Sequence, residues 1–266
     1  MYPERIVCLG AELPDIFQRL GCLDRVVGIS AYTDWPPEAL TIKKVSGFRH
    51  GRARPILAME PDLIILTSTV QQPLAAELAG HGVPILHLYP HRLADMFQTV
   101  RLLGNLVDRA AAADALVSDW MRTAARWQER RDACAHPLPV YFEEWMDPLI
   151  AGTGWVSDLI ELAGGRDVFR AVAVDGRTAA NRTVTPEQVL DREPQLIFAS
   201  WCGKPFDRAA LESRPGWSAL PAVAHGAVVE LPPTILQCGP RLMDILDELH
   251  AHISQAAASP RERPLP

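Results

Sequence analysis

The segment YFEEWMDPLIAGTGW, residues 141–155, sets Glu143 and Glu144 side by side among aromatic residues and follows them with Trp145, Asp147 and a Gly-Thr-Gly turn. Two adjacent carboxylates can do general acid/base work, and the same pair beside a tryptophan can line a ligand pocket. Neighbours in an extended strand point to opposite faces, so at most one glutamate is expected to meet a ligand; the other is solvated or paired with an arginine. Cys202 lies between Trp201 and Gly203, with Lys204 near enough to lower its pKa, but no histidine stands in sequence to complete a nucleophilic dyad. His50, among Arg49, Arg52 and Arg54, reads as a surface histidine, with axial ligation of a metal cofactor left open. The sequence contains no Walker phosphate loop, no G-x-G-x-x-G after the first strand and no paired His/carboxylate metal motif.

These residues need elements to position them. RIVCL reads as a short buried strand, ELPDIFQRLG as a helix ending on Gly21, and DRVVGIS as a second strand; AYTDWPPEAL, with Pro36-Pro37, is a loop. RPILAMEPDLIILTS, PLAAELAGHG and VPILHLY continue the alternation, which implies a parallel sheet covered by helices on both faces. From about Arg92 the chain turns helical: Leu93, Met96, Phe97, Val100 and Leu103 share one face, and a long helix from Arg109 carries Leu116, Trp120 and Trp127 as core residues. Strand and helix then alternate again, with echoes of the first part. ILAMEPDLIILTS at 56–68 matches VLDREPQLIFAS at 189–200, and HGVPILHLYP at 81–90 loosely matches HGAVVELPP at 225–233. The expected organisation is an N-terminal α/β lobe at 1–91, a helical linker at 92–135, and a C-terminal α/β lobe at 136–266 ending in a disordered tail, SPRERPLP.

Ligands of open parallel sheets sit outside the carboxyl ends of the strands. The residues just past those ends are Tyr32 and Trp35, Thr67 and Ser68, Glu143, Glu144 and Trp145, and Trp201, Cys202 and Lys204, with Phe48, His50 and Gln237 on neighbouring loops. The set is rich in flat aromatics and poor in any complete catalytic arrangement. Apolar residues make up 48% and charged residues 22%, the balance of a globular protein. A net charge of -6 with no basic block argues against a nucleic-acid partner. The five cysteines are scattered and never in C-x-x-C spacing, which fits a reducing compartment. No secretory leader precedes the first strand, so the chain as written is expected in the cytoplasm, or in the periplasm if a leader was removed.

The stretches RIVCLGAELPDIFQRLG, RVVGISAYTDWPPEA with KVSGF, ILAMEPDLIIL, VYFEEWMDPLIAGTGWVSDLIELAGGRDVF, TPEQVLDREPQLI, RPGWSALPAVAHGAVVEL and GPRLMDIL span nearly the whole chain. In these it resembles the substrate-binding proteins of ABC importers for vitamin B12 and for iron–siderophores or haem, closest to the B12 branch. The resemblance implies two parallel-sheet α/β lobes joined by one long helix, little hinge motion, and a ligand held between the lobes, bound by a monomer without catalysis or a required cofactor. It implies that Trp35, Phe48, Thr67, Glu144 and Trp201 fall near corrinoid-contacting positions, and that Gln237 supplies a polar contact. Family members carry a docking glutamate on each lobe for the importer's membrane subunits. Glu187 in TPEQVL fits the C-lobe position, whereas GRARPIL puts Arg54 at the N-lobe one. The expected ligand is a cobalamin-type corrinoid. An iron–siderophore or haem remains the alternative within the binding class, and an intracellular cofactor-handling protein or an enzyme using Glu143 or Glu144 the alternative outside it.

Overall fold

Apolar runs of three to five residues bounded by turn residues are too short for helices and pair as strands. The structure, a computed structural model, describes residues 2–47 and 51–258. Phe48, His50 and the tail at 259–266 lie outside the described residues. By its internal contacts the chain divides into Met1–Met121 with Gln237–Pro240, and Arg122–Leu236 with Arg241–Pro266. That division falls inside a long helix, whereas the sequence places boundaries at 91 and 135.

The first unit contains, in chain order, β1 (Ile6–Cys8), α1 (Leu13–Arg19), β2 (Val26–Ser30), β3 (Lys44–Ser46), α2 (Ala53–Leu57), β4 (Leu63–Leu66), α3 (Gln72–Ala79), β5 (Ile85–His87) and α4 (Leu93–Leu106). Its five strands are all parallel, in the order β3-β2-β1-β4-β5. β1 and β4 are buried along their whole length, as strands covered on both faces must be. Val7, Ile64 and Leu66 pack with Ile56 of α2 and with Leu74 and Leu78 of α3. Each such side chain contributes roughly 1.5–3 kcal/mol by leaving water. α1 stops just before Gly21, whose φ of 69° is the left-handed turn expected of it. α4 buries the five residues read as its apolar face.

Next comes α5 (Ala110–Asp132), one 23-residue helix that begins in the first unit and ends in the second. Both its tryptophans, Trp120 and Trp127, are buried, as core residues should be.

The second unit contains β6 (Leu138–Met146), β7 (Leu149–Ala151), α6 (Gly154–Leu162), β8 (Gly165–Asp167), α7 (Arg170–Asp175), α8 (Pro186–Arg192), β9 (Leu196–Ala199), α9 (Arg208–Glu212), α10 (Pro221–Ala224), β10 (Val228–Glu230), α11 (Arg241–Asp244) and α12 (Leu246–Ala258). Its sheet runs β10-β9-β6-β7, with β8 beside the start of β6. All pairs are parallel except β6 with β7. This hairpin corrects one expectation: the strand does not end at Phe142. Pairing with β7 carries it on to Met146, so Glu143, Glu144 and Trp145 lie within the strand rather than beyond it.

The internal echoes recur in the backbone. Glu60 and Glu193, each before a proline and a strand, have φ of 48° and 44°, and Gly82 and Gly226, ahead of β5 and β10, have φ of 73° and 66°. Among the described residues no helix is long and apolar enough to cross a membrane.

Candidate functional site

In the first unit the strand order reverses between β1 and β4, the point where an open sheet leaves a crevice at its carboxyl edge. The chain builds this edge with polar ties. Gln71 donates from Nε2 to the Leu9 carbonyl at 2.8 Å and accepts the Thr67 N–H at 3.1 Å, fastening the ends of β1 and β4 together. Thr33 donates its hydroxyl to the Ala11 carbonyl at 3.4 Å. Glu12 sits in the crevice beside Thr67. Burial pushes its carboxyl above the ordinary glutamate value, and the Thr67 hydroxyl pulls it partly back. Gly10 and Gly239 are both required here. A Cβ at Gly10 would stand 2.3 Å from Thr67 Oγ1, and one at Gly239 would stand 2.5 Å from Glu12 Cβ. The Gln237–Pro240 segment is therefore packed against Glu12, and the carbonyl of Gln237 accepts the Gly239 N–H at 2.8 Å.

Around this crevice the edge is aromatic and open. Tyr32 is 57% exposed, Trp35 40%, Val70 41% and Tyr89 42%. They follow β2, β2, β4 and β5. Beside them Ser68 accepts the Val70 N–H at its hydroxyl, and its carbonyl lies 2.9 Å from His87 Nε2. A carbonyl only accepts, so Nε2 carries the imidazole proton. Nδ1 then accepts from the Tyr89 hydroxyl at 2.9 Å.

The second unit treats its edge differently. Glu143 is fully buried and receives four donors: both terminal nitrogens of Arg214, the Trp201 indole N–H at 2.9 Å and the Tyr141 hydroxyl at 3.3 Å. Burial, and next the Glu143 charge, push the Tyr141 phenol well above its usual value. Next to it Glu144 is gripped by Arg182, which also donates to the Ala151 carbonyl. Both glutamates are thus paired with arginines. Their oxygens are committed, which leaves neither well placed to take a proton from a substrate. Trp201 is only 3% exposed, while Cys202 and Lys204 just beyond it are exposed. The Ser200 and Cys202 N–H groups bond the carbonyls of Glu143 and Glu144, so the loop after β9 is pinned to β6. Lys204 lies 5.7 Å over the Trp201 ring, and Trp145 donates its indole N–H to the Asp147 carbonyl at 2.9 Å.

Glu187 is exposed in the first turn of α8, where its own backbone N–H and the Thr185 hydroxyl hold its carboxyl below the ordinary value. Arg52 and Arg54 are exposed at the start of α2. Among the described residues no cluster of three or more His, Cys, Asp or Glu side chains is arranged to hold a metal ion.

Sequence reasoning did not single out Glu12, Gln71, His87 or Tyr89. The rule that collects residues past each strand, applied to RIVCLGAE and VPILHLYP, reaches Glu12 and Tyr89. Nothing local marks Gln71, whose partner at Leu9 is 62 residues away.

Two α/β units with polar and aromatic groups at the carboxyl ends of parallel strands, and one long helix passing from the first into the second, define a two-lobed solute-binding protein. The chain belongs to the periplasmic binding protein family, whose model matches residues 6–235. It is 27% identical over 204 residues to the vitamin B12-binding protein of Pectobacterium atrosepticum, covering 74% of this chain and 71% of the relative. The periplasmic vitamin B12 binding protein of Vibrio cholerae shares the fold at a TM-score of 0.76 and 23% identity, over 97% of this chain and 99% of that one. A periplasmic haem-binding protein from Pseudomonas aeruginosa superposes at a TM-score of 0.77 with 25% identity, over 99% of this chain and 95% of that one.

Proposed function

We propose that this protein is a non-catalytic binder of a large, ring-rich, metal-containing ligand, a cobalamin-type corrinoid, and that the ligand lies on the carboxyl edges described above. The observation that carries this reading is the concentration of Tyr32, Trp35, Val70 and Tyr89 on one edge of one sheet. Flat aromatic faces left in water beside a polar crevice suit a large planar partner, since they bury much area at low entropy cost. The vitamin B12-binding relatives support the corrinoid in particular. Thr67, Ser68, Gln237, Glu144, Trp145, Cys202 and Lys204 are proposed as polar and rim contacts, with Glu143 and Trp201 supporting the loop that carries the last two. Delivery to an importer's membrane subunits would use Glu187, with Arg54 giving the first unit the opposite charge at its own surface.

A ferric porphyrin is the second reading. It is favoured by Tyr89, a phenol already hydrogen-bonded to an imidazole that can accept its proton when the oxygen meets a hard metal ion. Titration with cyanocobalamin, haem and a ferric siderophore, followed by tryptophan fluorescence and the visible spectrum of each ligand, tests both. One-to-one binding of cyanocobalamin, recovered chemically unchanged, is the expected result. Binding of haem alone would replace the first reading with the second.

A further inference from the structure

We propose that the N-terminus of α6 is an oxyanion subsite, in which the N–H groups of Gly154, Trp155 and Val156 and the hydroxyl of Thr153 take a carboxylate or phosphate oxygen of the bound ligand. The first N–H groups of any helix lack an intrahelical acceptor. In α6 the first bond is from the Ser157 N–H to the Thr153 carbonyl at 3.0 Å, and among the described residues the three preceding N–H groups find no acceptor. A threonine at this position ordinarily accepts one of them through its side chain, as Thr185 does for Gln188 at the start of α8. Thr153 makes no such bond. The residue is only 7% exposed, and its buried Oγ1 has no partner among the described residues. Gly152 and Gly154 on either side are buried too.

Four donors without an acceptor thus stand together at one helix start, and the buried one, the Thr153 hydroxyl, costs stability until an acceptor arrives. The nine-residue helix adds the positive end of its dipole. Arg182 comes within two residues of Thr153, donating to the Ala151 carbonyl. Of the nearby acids, Glu144 is paired with Arg182 and Asp158 with Arg170. The place fits a ligand contact. Ala151 is paired with Glu143, whose carbonyl takes the first N–H beyond β9, so α6 begins at the carboxyl edge of the second sheet. Both ring ligands considered above carry a suitable group: haem has propionate carboxylates and cobalamin a phosphodiester. The identity of the carrier rests on the proposed function; binding of the oxyanion itself does not.

The test uses the full chain, 15N-labelled, as wild type and as Thr153→Val, which keeps the side-chain shape and deletes the hydroxyl. Inorganic phosphate should shift the amide resonances of Gly154, Trp155 and Val156 saturably in the wild type. Thr153→Val should bind phosphate about tenfold more weakly, with a melting temperature equal to or above the wild type's. Gly154→Pro, which removes one donor at a position where proline suits a helix, should weaken phosphate too while leaving the helix content unchanged. Absence of shifts at these three amides, or equal phosphate affinity in wild type and Thr153→Val, overturns the subsite. The carrier is then read from two pairs: cyanocobalamin against cyanocobinamide, which lacks the phosphodiester, and haem against its dimethyl ester. The pair whose affinity gap narrows in Thr153→Val identifies it. A ring ligand that binds with no gap in either pair overturns the ligand contact. Phosphate shifts without binding of any ring ligand would uphold the subsite and remove the proposed function instead.

Discussion

Trp35 and Trp201 look alike in sequence, each close behind a strand and each beside polar residues, yet one is 40% exposed and the other 3%. The difference lies in what receives the indole. Glu143 accepts the Trp201 N–H, and Arg214 holds Glu143 in place, so a charged cluster draws that ring inward. The edge of the first unit has no corresponding buried ion pair among the described residues; its half-buried carboxylate, Glu12, leans on a hydroxyl instead. An aromatic at a strand end therefore reports a binding surface only when no buried acceptor has claimed it.

The largest expected effect comes from breaking the charged cluster. Glu143→Ala should cost about 3–5 kcal/mol, because it leaves the Arg214 guanidinium largely buried and unpaired. Urea unfolding followed by circular dichroism measures it, and the double variant Glu143→Leu with Arg214→Met should recover most of the loss. Next, Trp201→Ala should destabilise by about 3–5 kcal/mol as a core truncation. Trp35→Ala should leave stability within about 0.5 kcal/mol and weaken cyanocobalamin binding by about 1–3 kcal/mol. The opposite pattern, with Trp35 carrying stability and Trp201 only affinity, would break the comparison. The smallest effect sharpens it. Folded Glu12 holds its proton more tightly than the unfolded chain does, so its contribution is fully present below the unfolded glutamate pKa and is lost as pH rises through its own raised value. Glu12→Gln should flatten the fall of melting temperature with pH across that window. An unchanged slope would show that the Glu12 carboxyl is not held above its ordinary value.

The local parts of the fold were legible because they rest on short-range physics. Continuous apolar runs, a glycine after α1 and the repeated Glu-Pro turn all encode backbone states that need no distant partner. The end of β6 was not legible, since residues 143–146 are strand only because Asp147–Pro148 turns the chain back beside them. The alternation argument placed Glu143 and Glu144 on opposite faces, and both have arginine partners. It could not say that Glu143 would be the fully buried one, because Arg214 lies 71 residues away and Arg182 lies 38 from Glu144. Thr153 was visible only as part of a turn. That its hydroxyl lacks a partner is a fact about three-dimensional surroundings and leaves no trace in AGTGW.

Four residues near the end of the chain, Gln237–Pro240, belong to the first unit, where Gly239 closes over Glu12. During synthesis residues 1–121 emerge well before that cover exists. Until residue 240 has left the ribosome, the crevice around Glu12 lacks its cover, so the first unit is completed only after most of the second has been made.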